Sequence, residues 1–255
     1  MPKSFANLIK VRRPREAGET KSIAFVAYPG LTPLDLIAPM TTFLGLTRGL
    51  VGTSHQYRTV CVAERVEPIG SDTPMAVVPD NAFEEVPAPF ALIVPGGGMS
   101  ALEAMGNERL INYLRFAQHR AEIVGSVSTG AFILAAAGLL EGRQATTHPV
   151  YGDALRKLGV NYVQRDWVED GRFITAAGVS GGIDMALYLV ARLKNEQEAK
   201  NIQTVIEYDP HPPFGSTEQN GGAGEDKLAT MIAEHQADLE RALAGRPDLY
   251  KRLFG

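Results

Sequence analysis

A chain of 255 residues, 45% of them hydrophobic, is long enough to bury one α/β core of generous size, and it holds no apolar run suited to crossing a bilayer. A net charge of −4 and a pI near 5.8 supply no basic footprint for nucleic acid. The single cysteine, Cys61, excludes an internal disulfide and a cysteine-rich zinc site, and the scattered histidines lack ligand spacing, so neither a metal nor a nucleotide cofactor is implied.

Lys3, Lys10, Arg12, Arg13, Arg15 and Lys21 come without a hydrophobic segment, which excludes a secretory signal, and Glu16 and Glu19 dilute a transit-peptide pattern. Residues 1–21 therefore read as a flexible basic tail before a single domain over 22–255, with a cytoplasmic location expected. SIAFVAY, from Ser22 to Tyr28, predicts an opening strand ended by Pro29-Gly30. A helix then begins at Pro33 or Leu34 and is interrupted or kinked near Pro39. Asp35 falls in its first turn, where a carboxylate either answers the helix dipole or, among Leu34, Leu36 and Ile37, serves as a general acid or base. Tyr57 to Ala63 alternates as a second strand with Cys61 as a small buried residue, and residues 66–79 form a hairpin or irregular connection with a structural role. Phe90 to Val94 is a short buried strand followed by Pro95-Gly96-Gly97-Gly98. Three glycines there either form a plain loop or let the backbone approach a ligand and direct amides at it. A helix is expected from about Ser100 towards Arg120, with Leu102, Met105, Leu110, Leu114 and Ala117 inward.

The centre of the chain is EIVGSVSTGAFILAAAGLL, from Glu122 to Leu140: a β-branched strand from Ile123 to Val127, a turn of small residues, and an apolar helix from Phe132 to Leu140. Such a turn lifts Ser128 above the carboxyl edge of a sheet beside free amides and the positive end of a helix dipole. A cysteine would be activated as thiolate there, whereas a serine needs a base. Ala145 to Thr147 is a short strand, and His148 after it is either a hydrogen-bonded structural residue or a catalyst. A short helix in VYGDALRKLG precedes two strands turned at Glu169-Asp170-Gly171. Gly178 to Gly182 opens a helix over Ile183 to Leu193, with Asp184 read as a first-turn dipole partner. Another helix starts at Asn195 and ends before Tyr208; residues 209–226 read as a mobile or partner-contacting loop. Leu228, Met231, Ile232, Leu239 and Leu243 mark a last helix, followed by a short PDLYKRLFG tail.

Alternating strands and helices predict a mostly parallel sheet covered on both faces, with ligands at its carboxyl edge. Asp35, Gly96 to Gly98, Ser128 and His148 all follow predicted strands and can converge there.

YPGLTPLDLIAP, IVPGGG, SVSTGAFILAAAGLLEGRQATTHP, FITAAGVSGGIDMAL and IEYDPHPPF occur in an order that resembles the ThiJ/PfpI superfamily, in its isonitrile hydratase branch, from about Ser22 to Phe214. The resemblance implies a flavodoxin-like α/β domain, usually a homodimer, acting on a small molecule without a cofactor. It also implies a reactive cysteine at the nucleophile elbow. In the hydratases that cysteine attacks the terminal carbon of an isocyanide, an acidic residue manages protons, and water releases an N-substituted formamide. Carried over by position, the nucleophile falls on Ser128, the acid on Asp35 and the supporting threonine on Thr129; Gly96 and Gly97 match backbone donors, and His148 matches a histidine of the wider superfamily. Serine in place of cysteine is open to three readings: an engineered replacement, a natural binding protein without turnover, or a true serine enzyme. A glyoxalase- or hydrolase-like enzyme using His148, and a non-catalytic binding protein, are the alternatives in function. A chain ending in one helix and a short tail weighs against a DNA-binding regulator, and Ser126 breaks the Gly-x-Ser-x-Gly elbow of α/β-hydrolases.

Overall fold

The computed structural model describes residues 20–48, 56–213 and 225–255. Strands β1 (Lys21–Val26), β2 (Tyr57–Ala63), β5 (Asn81–Ala82), β6 (Ala91–Val94), β7 (Ile123–Val127), β10 (Trp167–Asp170) and β11 (Phe173–Ala176) make one sheet in the order β10-β11-β7-β6-β1-β2-β5. All its neighbours are parallel except β10, which runs antiparallel to β11. Two small sheets stand apart, β3 (Ile69–Gly70) with β4 (Ala76–Val77), and β8 (Gln144–Ala145) with β9 (Asn161–Tyr162). The mostly parallel flavodoxin-like architecture expected from the sequence is the one observed.

Parallel strands covered on both faces lose polar alternation. β1, β6 and β7 are accordingly buried along almost their whole length, with Ile23, Phe25, Leu92, Ile93 and Val124 inaccessible to solvent. Helices α1 (Pro33–Arg48), α6 (Val179–Leu193) and α7 (Glu196–Val205) pack together as one group. A second group holds α2 (Met99–Ala104), α3 (Glu108–Ala117), α4 (Gly130–Ala136), α5 (Gly152–Lys157), α8 (Glu225–Ala242) and α9 (Pro247–Phe254).

Strand order decides where the site lies. From β1 the chain steps to β2 on one side, and later to β6 on the other, so the order reverses between β1 and β6. At such a switch point the loops leaving adjacent strands diverge and open a crevice at the carboxyl edge. The loop after β1 leads to Asp35, the loop after β6 carries Gly96, and β7, next to β6, leads to Ser128.

Several expectations are corrected. Lys21 belongs to β1, where its amide donates to the Gln56 carbonyl, rather than to a tail; the rest of the expected basic tail up to residue 19 lies outside the described residues. α1 runs on through Pro39 without the interruption that was one of the two expectations there. The long helix expected after Ser100 is two, α2 and α3, parted at Gly106, where a Cβ would sit 1.8 Å from the Ala242 carbonyl oxygen. Asn107 then caps α3 by accepting from the Leu110 amide. The tail PDLYKRLF is the helix α9, opened by Pro247 at its first position. Of the expected 209–226 loop, residues 214–224 lie outside the described residues, and Glu225 and Asp226 already belong to α8.

Cys61 is partly buried in β2, and burial, with the Asp80 carboxylate adding to it, pushes its thiol up to about 12. A neutral thiol is a poor nucleophile. At pH 7.5 the folded chain should resist iodoacetamide, whereas Ser128→Cys should gain one rapidly labelled site; rapid labelling of Cys61 in the parent, read by intact mass, would contradict this.

Candidate active site

The elbow is sharp because the sequence puts small residues between an apolar strand and an apolar helix. Ser128 adopts φ 54°, a left-handed conformation costing roughly 1–2 kcal/mol for a residue with a side chain. Three bonds hold it there. Its amide donates to the Ala176 carbonyl at 2.8 Å, its carbonyl accepts from Thr147 Oγ1 at 2.9 Å, and the Ala131 amide approaches the same carbonyl at 3.4 Å. β11 and the segment after β8 thus brace the turn.

Gly96 forms the floor between the side chains of Asp35 and Ser128. A Cβ there would stand 2.4 Å from Asp35 Oδ2, 2.8 Å from Ser128 Cβ and 3.1 Å from Ser128 Oγ. Carboxyl and hydroxyl therefore meet across a bare glycine. Gly96→Ala should destabilise the fold by about 1–3 kcal/mol in urea unfolding and push Asp35 away from Ser128; an unchanged midpoint would show that the crevice is wider than described.

Asp35 is 4% exposed. Burial raises its pKa from 3.8 to about 7, the Gly96 amide donating to it works the other way, and the Asp72 carboxylate raises it again. The first turn of α1 also favours the charged form. Burial outweighs both opposing influences, and a carboxyl group that exchanges its proton near neutrality suits acid–base work.

Both expected glycine donors are otherwise engaged. The Gly96 amide serves Asp35, and the Gly97 amide donates to Thr129 Oγ1 at 3.0 Å. Neither is a free oxyanion donor in this arrangement, because long-range partners have taken them. Thr129 is fully buried, and its hydroxyl fixes the glycine loop to the elbow. Its own amide, at the start of α4, has no acceptor among the described residues and lies next to Ser128. That donor follows from the elbow geometry and was the one to read from the sequence.

His148 is exposed, and its Nδ1 accepts from the Val150 amide at 3.3 Å to cap a short 3-10 turn, Pro149–Tyr151. That is the structural one of its two expected tasks. Asp184 lies in the second turn of α6 rather than the first, so the dipole reading is corrected; it bonds Tyr208. Ser128 Oγ has no basic hydrogen-bond partner among the described residues. A separate cavity of about 270 Å³, lined by Tyr28, Glu64, Ile69, Phe83 and Leu110 among others, includes neither Ser128 nor Asp35. No His, Cys, Asp and Glu cluster suited to a metal occurs among the described residues.

The DJ-1/PfpI family model matches residues 21–192, which spans β1 to α6 and every residue of the crevice. The chain belongs to the DJ-1/PfpI family. Among its relatives, the isonitrile hydratase of Pseudomonas putida is 35% identical over 231 residues, covering 90% of this chain and 95% of the relative. A deglycase of Pyrococcus abyssi is 33% identical over 98 residues, 38% of this chain and 59% of that one. A ThiJ/PfpI family protein from Pseudomonas syringae superposes with a TM-score of 0.75 at 30% identity, covering 93% of this chain and 98% of that structure.

Proposed function

We propose that this site is built to add water to an isocyanide, giving an N-substituted formamide, and that Ser128 stands where a cysteine would be the nucleophile. The observation that carries the reading is the pairing of a strained elbow residue with a buried carboxyl group poised near pH 7 across Gly96. Similarity to the hydratase over nearly the full length of both chains supports it.

In the cysteine form the thiolate attacks the terminal isocyanide carbon while Asp35 delivers a proton to that carbon, giving an enzyme-bound thioimidate, R–N=CH–S. Asp35, now a carboxylate, takes a proton from water as the oxygen adds to the same carbon. The C–S bond then breaks with release of the thiolate, the hydroxyl proton of the adduct passes to the substrate nitrogen, and R–NH–CHO leaves. One water is consumed and Asp35 returns to its starting state. Negative charge accumulating beside the elbow faces the Thr129 amide and the positive end of α4.

A serine in the same place lacks the acidity to ionise and has no base to assist it. Isocyanide turnover by this chain should therefore lie about 10²–10⁴-fold below that of Ser128→Cys, the range a general base contributes. Formamide release from an alkyl isocyanide, followed by chromatography for both proteins in parallel, tests this; equal rates would mean that Ser128 is activated from elsewhere.

The alternative, a deglycase- or glyoxalase-like activity on carbonyl compounds, is favoured by the similarity to the P. abyssi deglycase over part of the chain. It predicts turnover of 2-oxoaldehydes by Ser128→Cys and none of isocyanides. For the assembly we propose a homodimer in the cytoplasm, in keeping with the superfamily resemblance; among the described residues no helix is long and apolar enough to cross a membrane.

A further inference from the structure

The β3–β4 hairpin straps the loop that leads into α1. The Gly30 amide donates to the Gly70 carbonyl at 2.8 Å, Leu31 and Ser71 form an isolated parallel bridge, and the Asp72 amide donates to the Leu31 carbonyl at 3.1 Å. Thr32 Oγ1 donates to Asp72 Oδ2 at 2.5 Å. On the far side, the Thr32 amide donates to the Gly96 carbonyl at 2.8 Å, and the Asp35 amide to the Thr32 carbonyl at 3.1 Å. One threonine thus links the hairpin, the glycine floor and the acid.

We propose that Asp72 is a positioning residue for Asp35: tied to the start of α1 by its backbone and by Thr32, it presents the negative charge that favours the neutral, proton-donating form of Asp35.

The arrangement leaves few other groups for this role. Around Asp35, the end of β1 contributes Tyr28, whose hydroxyl donates to the Pro95 carbonyl at 2.9 Å and which burial keeps neutral. The loop after β6 contributes the Gly96 amide, and the elbow contributes Ser128. Asp72 is the charged group identified as acting on Asp35, and no ion pair joins it to a cation among the described residues. Its carboxylate is exposed, so its repulsion is felt partly through water. Two carboxyl groups near one site cannot both ionise freely, and the buried one yields. A hairpin read from sequence as merely structural would then add to what burial does and adjust the working pH of the site.

The consequence for turnover rests on the hydratase reading; the titration does not. Carbon-13 NMR of the Asp35 carboxyl carbon in the full chain, assigned by its loss in Asp35→Asn, gives the titration midpoint directly. Asp72→Asn keeps an oxygen for Thr32 and removes the charge, so the midpoint should fall by about 0.5–1 pH unit. Asp72→Glu keeps the charge and should restore a midpoint near the parent's. Added salt should lower the parent's midpoint and leave that of Asp72→Asn unmoved. An unchanged midpoint in Asp72→Asn, equal falls in the Asn and Glu variants, or salt insensitivity of the parent would overturn the proposal. A lowered midpoint in Asp72→Asn without formamide formation by any variant would support Asp72's role while removing the hydratase reading.

Discussion

Asp35→Asn should make the protein more stable at pH 8 than the parent while changing little at pH 4. In the unfolded chain the Asp35 carboxyl titrates near 3.8, and in the folded one near 7. Below both values the group is protonated in either state and contributes no difference. Between them the native state holds a proton that the unfolded state has released, so stability falls as pH rises; above 7 the penalty of a buried charge is fully present. Three pH units correspond to an upper figure of roughly 4 kcal/mol, and relaxation of the crevice lowers it to about 2–4. Asparagine keeps an oxygen for the Gly96 amide and carries no charge to desolvate. Urea unfolding of both proteins at pH 4, 6 and 8 reads the difference directly. A gap that stays constant with pH would mean that Asp35 is ionised in the fold at neutrality.

The second large effect concerns turnover. In Ser128→Cys, adding Asp35→Asn should lower kcat for an isocyanide by about 10²–10⁴-fold, because the step that protonates the terminal carbon loses its donor. KM should move far less, since the carboxyl group acts on the reacting atom rather than on the substituent. The single variant should lose activity as pH rises through about 7, and the double variant should show no such limb. An unchanged kcat would assign the proton to another donor and remove Asp35 from the mechanism.

The elbow and the strands around it were legible because each depends on a local run. Ile123–Val127 is β-branched and apolar, residues 128–130 are small, and no other reading accommodates both. The convergence of Asp35, Gly96 and Ser128 was legible one level up, since all three follow parallel strands. What escaped depends on partners distant in sequence. Gly106 is required by the carbonyl of Ala242, and the amides of Gly96 and Gly97 are engaged by Asp35 and Thr129. Asp184 has a tyrosine from beyond α7 as its partner. Two misses were local and avoidable: Asn107 after Gly106 is a cap signal, and Pro247 is a helix opener. The hairpin at residues 69–77 looked inert because its two-residue strands carry no chemistry; the chemistry is in the Asp72 between them.

The most direct test of the nucleophile assignment is intact-mass measurement of Ser128→Cys quenched in acid during turnover of an alkyl isocyanide, with the adduct located by peptide mapping. A mass increase equal to one isocyanide, confined to the peptide containing residue 128 and absent from Ser128→Ala, is the expected result. Formamide production with no adduct on that peptide, or with the adduct elsewhere, would contradict it.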